Sequence, residues 1–228
     1  MSKCQPAVVL VAAAIAFTGC SESQAPRAEP SFQRDEAAGR EALRVKEDRA
    51  RGRRWELGWG AVSAHDVASG QLVRRVPLPR SSFAGTGLTC RPDMVMNRFG
   101  GLVVSSDAQP TLWRVSPSHF EVERFDIVVD SDQEKDFGFS GLAWSADEKV
   151  LYAASATTGT LWRVDLDSAT ARKVELSSPI LGACGLELAP GNATSREPPI
   201  LVVAIGASDS LYRIFLSPDL MRGVVESY

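Results

Sequence analysis

The sequence predicts an all-β fold, a β-propeller of about three and a half to four blades, with an incomplete or open ring among the alternatives. Two observations predict this fold class. A strand motif recurs with a spacing of 49 or 50 residues, and short apolar runs alternate with turns rich in Gly, Asp, Ser and Thr. Repeats of about 40 to 50 residues that each contain several short strands are typical of propeller blades.

The recurring strand combines a large aromatic residue with an arginine. It occurs at Leu112–Val115, Leu161–Val164 and Leu211–Ile214, and Ser63 lies 50 residues before Trp113 in a weaker fourth copy. Successive residues of a strand point to opposite faces, so the aromatic residue and the arginine lie on different sides of each blade. We therefore expect the aromatic residues to pack between neighbouring blades. The alternative is that they form an aromatic box on which a ligand stacks.

The number of blades is less clear than their repeat. Four outer halves are recognisable, but inner halves are recognisable only near residues 93–106, 141–155 and 185–206. Trp55–Leu57 is a candidate for one further strand. The count is compatible with an open ring, a half-ring that dimerises, or a truncated reading frame. An unclosed ring exposes an apolar flank, which predicts a homo-oligomer if the ring is open.

The first residues predict export and attachment to a membrane. The apolar run Ala7–Phe17 spans only about 16 Å as a helix, too short for a bilayer core of about 30 Å. The run ends in Thr18-Gly19-Cys20, which resembles a bacterial lipobox. Residues 1–19 are thus predicted to be a lipoprotein signal peptide, and the resemblance implies that Cys20 is acylated. The alternative is an ordinary secretory signal.

A lipoprotein of this type lies in a bacterial cell envelope, facing the periplasm or the cell surface, with the membrane as a partner through its lipid. Residues 20–54 are predicted to be the lipidated cysteine followed by a charged, flexible tether, because their few apolar residues cannot offset the entropy of ordering. The propeller repeats are predicted to occupy residues 55–228. Cys90 and Cys184 both precede inner strands, and either form a disulfide or remain small buried thiols.

Composition and motifs limit the function classes. The formal net charge of −3 argues against a nucleic-acid partner, because phosphate binding needs a basic surface. The sequence contains no P-loop, GxGxxG or CxxC motif, and its two histidines show no triad spacing. No cofactor, metal or catalytic residue is therefore predicted, and binding is favoured over catalysis.

Part of the repeat resembles a known enzyme family. Ser140–Asp147 (SGLAWSAD), Leu151-Tyr152 and Gly159–Asp167 (GTLWRVDLD) resemble the senescence-marker-protein and gluconolactonase group of lactonase-type propellers. The resemblance implies metal-dependent hydrolysis, with an Asn and an Asp ligand at the positions of Ser140 and Cys184. Neither replacement supplies the charged oxygen that a hard divalent cation prefers. A hydrolase with altered metal ligands is therefore the alternative to a binding protein.

The predicted binding surface is one rim of the propeller. It consists of loops that enter the inner strands and turns that connect second and third strands, since loops on a rigid scaffold carry specificity. Carboxylates mix there with apolar side chains, which suits a protein or another polar envelope ligand. The alternative is that these are merely connecting loops. The candidate rim residues are Asp107, Asp136, Phe137, Ser140 and Asp209.

Overall fold

The structure is a computed structural model that describes residues 42–81, 83, 90–130, 137–189, 199–206 and 210–227. All of these residues belong to one compact unit, Arg40–Tyr228. The described residues form four antiparallel blades in which consecutive strands are hydrogen-bonded neighbours. The predicted all-β propeller is confirmed. No helix in the described part of the chain is long and apolar enough to span a bilayer.

Each blade has four strands. Blade 1 contains β1 (Arg44–Asp48), β2 (Arg53–Gly58), β3 (Ala61–Asp66) and β4 (Leu72–Pro77). Blade 2 contains β5 (Met94–Met96), β6 (Leu102–Ser105), β7 (Thr111–Val115) and β8 (Val122–Asp126), and is followed by the short β9 (Val128–Val129). Blade 3 contains β10 (Gly141–Trp144), β11 (Leu151–Ala154), β12 (Leu161–Asp165) and β13 (Thr170–Leu176). Blade 4 contains β14 (Ala183–Leu188), β15 (Ile200–Ile205), β16 (Leu211–Leu216) and β17 (Arg222–Ser227).

The first blade begins earlier than the sequence predicts. The strand β1 lies inside the segment 20–54 that was assigned to the tether, and it supplies the inner strand missing from the sequence-based count. That assignment relied on the scarcity of apolar residues. The strand needs few of them, because Arg44 is ion-paired with Asp93 at 3.1 Å and Asp48 with Arg51 at 3.1 Å. The predicted signal peptide, Cys20 and the tether as far as residue 41 lie outside the described residues.

Three buried apolar clusters join neighbouring blades. The repeated aromatic residue of each third strand faces the preceding blade, as predicted: Trp113 lies between blades 1 and 2, and Trp162 between blades 2 and 3. Both indoles are fully buried, whereas Tyr212 is partly buried at the edge of the cluster between blades 3 and 4. Parallel pairing of β13 with β9 and with β17 further links blades 2, 3 and 4 at their outer edges.

The faces of blades 1 and 4 that point away from their neighbours differ in chemistry. Among the described residues, no buried apolar cluster joins blade 4 to blade 1. On the free face of blade 1, Ser63 occupies the position of the repeated aromatic residue, and its register partner Glu56 lies 3.5 Å from the imidazole of His65. The free face of blade 4 is more apolar, and register places on it Ile200, Val202, Leu211, Phe215 and Val224. A row of charged residues, Glu187, Arg213 and Glu226, crosses the same face.

Candidate functional site

Two charged side chains connect the inner strands of all four blades. Asp93, just before β5, accepts a hydrogen bond from Nε of Arg44 in β1 at 3.1 Å and one from the backbone N–H of Leu142 in β10 at 2.8 Å. Arg44 Nη2 donates to the carbonyl oxygen of Cys184 in β14 at 2.8 Å. Burial raises the pKa of the Asp93 carboxyl, although the Arg44 charge and the backbone donors oppose the shift.

A disulfide joins Cys90 to Cys184, whose Cα atoms are 4.8 Å apart. It links the segment that enters blade 2 to the inner strand of blade 4, across 94 residues of sequence. The bridge lies at the end of the blades where the inner strands begin. It therefore restrains the same edge on which the sequence predicted a binding rim.

A cavity of about 200 Å³ opens beside the disulfide. Its walls come from the segments that enter inner strands and from the connections between second and third strands. We call this cavity the mouth cavity. It is lined by Cys90, Asp107, Gly138, Ser140, Ala156, Thr157 and Gly182. The structure thus brings two of the predicted rim residues, Asp107 and Ser140, into one cavity wall.

Close backbone packing positions Asp107 in this wall. Asp107 follows β6, and a Cβ atom on Gly138 would lie 2.0 Å from the Asp107 carbonyl carbon, so only glycine permits the approach. The neighbouring N–H of Phe139 donates to the Ser106 carbonyl oxygen at 2.7 Å. Asp107 is buried, with 6% of its surface exposed, and brings a carboxylate into the lining. Such a group can accept hydrogen bonds from a polar ligand or pair with a cation.

Ser140 and Cys184 at the mouth have structural roles. The Ser140 hydroxyl has its single proton within hydrogen-bond distance of two backbone carbonyl oxygens, those of Ala183 and Ala154, and it accepts the N–H of Ala156 at 2.9 Å. The sulfur of Cys184 is held in the disulfide. These are the two positions at which the family resemblance implies metal ligands, and their chemistry does not fit a hard divalent cation. In the described ranges, no group of three His, Cys, Asp or Glu residues has a geometry suited to a metal ion.

Phe137 is a packing residue, which corrects its assignment to the binding rim. Its ring is buried between blades 2 and 3, stacked on Trp162 with centroids 5.3 Å apart. Its neighbour Phe139 is buried in the same interface, so apolar side chains from this segment pack between the blades and do not face solvent. Asp136 and Asp209 lie outside the described residues.

Sequence reasoning missed the pair formed by Arg44 and Asp93. Arg44 belongs to a stretch dominated by charge, and its partner lies 49 residues further along the chain. The sequence feature that could have indicated this pair is one carboxylate, Asp93, directly before an apolar inner strand. That signal is weak, because turns before strands commonly contain aspartate.

No family model and no curated protein matches this chain. Several solved structures do match it. Hydrazine synthase from Kuenenia stuttgartiensis superposes with a TM-score of 0.57 at 12% identity, over 85% of this chain and 52% of that chain. Virginiamycin B lyase from Staphylococcus aureus, in a catalytically inactive form with quinupristin, gives 0.56 at 13% identity, over 81% and 54%. An auxiliary nutrient binding protein from Bacteroides thetaiotaomicron gives 0.53 at 9% identity, over 82% and 41%.

The fold is a β-propeller. At these identities, the likeness shows the fold alone, because propellers host many unrelated functions. The chain spans about half the length of the first two structures and less of the third. Their activities and ligands therefore describe those proteins.

Proposed function

We propose that this propeller is a lipid-anchored protein of a bacterial cell envelope that binds a polar ligand or a protein partner at the mouth cavity. The observation that carries the proposal is the buried Asp107 in a cavity wall that a disulfide restrains. The neighbouring Ser140 and Cys184 are held in structural bonds, which favours binding over catalysis. Binding at loops on a rigid scaffold suits this arrangement, because little ordering entropy is lost when the ligand binds.

Two features support the cell-envelope location. The short apolar run before Cys20 resembles a lipoprotein signal. A disulfide between Cys90 and Cys184 is also typical of oxidising compartments outside the cytosol. Replacement of the acylated residue, Cys20→Ser, is expected to move the protein from the membrane fraction to the soluble exported fraction or to leave it unprocessed. Unchanged processing and membrane retention of this variant would refute the lipid anchor.

The binding role is tested by Asp107→Asn, which removes the charge of the mouth cavity and nearly preserves the shape of the side chain. Recovery of envelope components by the purified variant is compared with wild type by quantitative mass spectrometry, after circular dichroism has shown an unchanged fold. The matched control is Glu121→Gln, an exposed charge at the opposite end of blade 2. We expect Asp107→Asn to reduce recovery and Glu121→Gln to leave it unchanged. Undiminished recovery with folded Asp107→Asn would exclude this cavity as the binding site.

A further inference from the structure

Blade 3 carries two like charges directly opposite each other. Arg163 in β12 and Arg172 in β13 are register partners. The Cβ atoms of such partners lie about 4.5–5.5 Å apart, and like charges at this distance destabilise a sheet. In the described part of the chain, neither guanidinium has a hydrogen-bond or ion-pair partner. The pair therefore has no counter-charge within ion-pair or hydrogen-bond distance, although the Asp165 carboxylate interacts with Arg163 electrostatically.

The other blades provide an internal comparison. The corresponding arginine of blade 2, Arg114, is the register partner of Glu123 and forms an ion pair with it. In blade 4, Arg213 is the register partner of Glu226. Both blades thus oppose the repeated arginine with a glutamate, and blade 3 has Arg172 at that place. A purely structural role for the repeated arginine does not explain why blade 3 has an arginine where blades 2 and 4 have a glutamate.

Both arginines line a cavity of about 490 Å³. Lys149 contributes a third cation from the β10–β11 turn, and the β12–β13 turn contributes the hydroxyls of Ser168 and Thr170. These turns lie at the end of blade 3 away from the mouth cavity, because successive strands of the blade are antiparallel. The cavity is therefore a separate site, and what is inferred from it does not depend on the proposed function.

Two carboxylates also line this cavity, and one of them, Asp165, is hydrogen-bonded within its own turn. Asp165 accepts the backbone N–H groups of Asp167 at 3.0 Å and Ser168 at 3.3 Å, and hydrogen bonds from Ser168 lower its pKa. Asp167 is exposed. Outside the turn, Lys149 lies 3.8 Å from the carboxylate of Asp147. Three cations and two carboxylates line the cavity, and because Asp147 lies against Lys149, the two opposed arginines are the lining cations without an ion pair or hydrogen bond in the described residues.

A polar group near Arg163 also lacks a partner. Tyr152 is the register partner of Arg163 on its other side, in β11. Its phenolic oxygen is buried and has no hydrogen-bond partner among the described residues. Burial raises the pKa of Tyr152 to about 12, so the phenol keeps its proton at neutral pH and remains a hydrogen-bond donor.

We propose that this cavity is an oxyanion site in which a phosphate or carboxylate group lies between Arg163 and Arg172. Planar guanidinium groups bind such oxyanions through two parallel N–H donors each, and the bound charge removes the repulsion between the two arginines. Lys149 adds a point charge. The ligand is thus a small molecule, or a group on a larger one, that carries a phosphate or carboxylate.

The test uses the full chain, purified in detergent, with inorganic phosphate and malonate as separate probes at constant ionic strength against chloride. Calorimetric titration gives the affinity and thermal unfolding gives the stabilisation. We expect saturable binding of at least one probe, and the preferred probe distinguishes a phosphate ligand from a carboxylate ligand. The decisive variant is Arg172→Glu, which recreates the pairing of blades 2 and 4. It should raise Tm without ligand and weaken binding by about tenfold or more.

These opposite effects separate loss of binding from loss of fold. The matched control is Arg114→Ala, which removes an arginine of the same repeat position that already has an acidic partner. It should lower Tm slightly and leave the affinity for the probe unchanged. Three results would overturn the site: no saturable response to either probe, wild-type affinity in Arg172→Glu, or equal weakening in Arg114→Ala.

Discussion

The ring of Phe137 stacks on the indole of Trp162, with centroids 5.3 Å apart and an interplanar angle of 13°. Phe139 meets Phe137 edge-on at 5.6 Å. Gly138 lies between these two rings in sequence and forms part of the mouth cavity. The cavity wall at Gly138 is therefore continuous with the apolar interface between blades 2 and 3. Packing at this interface stabilises the shape of the mouth cavity.

We expect Trp162→Ala to lower the free energy of unfolding by about 3–5 kcal/mol, because it empties a fully buried site and removes the stack with Phe137. The matched control is Trp144→Ala in the same blade. Trp144 is only partly buried, so its loss should cost clearly less. Urea denaturation of both variants measures the difference, and equal losses would contradict the packing role of Trp162.

Asp93→Ala removes the acceptor that Arg44, Met94 and Leu142 share. Since two buried backbone donors and one guanidinium then lose their partner, we expect a loss of about 3 kcal/mol or more in the free energy of unfolding. Asp126→Ala is the control, because Asp126 pairs with Arg124 but is mostly exposed, and surface pairs contribute less than about 1 kcal/mol. A loss as small as that of the control would show that Asp93 does not hold the inner strands together.

The raised pKa of Asp93 also predicts a pH dependence. The folded protein holds this proton to a higher pH than the unfolded chain, whose aspartates titrate near about 3.9. Ionisation therefore costs the folded state free energy, and the Asp93 contribution to stability decreases as pH rises from about 4 through the raised pKa. Asp93→Asn does not titrate at this position. The free energy of unfolding, measured across this pH range, should decrease for wild type relative to Asp93→Asn as pH rises. If wild type instead becomes more stable relative to Asp93→Asn, the pKa of Asp93 is lowered in the folded protein and not raised.

The disulfide predicts sensitivity to reductant. A bridge that closes 94 residues contributes up to about 4–5 kcal/mol in the chain-entropy model, less any strain. We expect reduction to lower Tm of the wild type, and the double replacement Cys90→Ser with Cys184→Ser to lower it similarly and abolish the response. Two titratable thiols in the denatured, unreduced protein, beyond any at Cys4 or Cys20, would show that no bridge forms.

The apolar side chains on the free face of blade 4 predict self-association. The equivalent faces of blades 1, 2 and 3 each pack against the next blade through a buried apolar cluster, whereas the described residues form no such cluster on this face. We expect a second copy to pack its blade 4 here about a two-fold axis, because five apolar side chains lie beside the row of Glu187, Arg213 and Glu226 on this face. Sedimentation should show that Val224→Glu, at a position 54% exposed, yields monomers. Val73→Glu on blade 1, at 46% exposed, should leave the dimer intact, and the reverse result would place the contact on blade 1.

Local pattern predicted the parts of the fold in which a strand buries its own side chains. Trp113 and Trp162 are recognisable because alternation along one strand decides which face each side chain takes. The strand Arg44–Asp48 was missed because its stability depends on a carboxylate from blade 2, far away in sequence. The sequence predicted Asp107 and Ser140 as rim residues. It did not predict the close backbone contact between Gly138 and Asp107, because this contact also depends on segments that are distant in sequence.

The sequence by itself determined the all-β class, the repeat of 49 to 50 residues and the aromatic residues that join the blades, because strand periodicity is a local property. The tertiary structure decided the start of blade 1, the pairing of Cys90 with Cys184 and the burial of Phe137. It also placed Arg163 and Arg172 directly opposite each other. In the sequence alone, these two arginines look like ordinary surface charges. Each of these features depends on which distant segments become neighbours, and chain folding alone determines those neighbours.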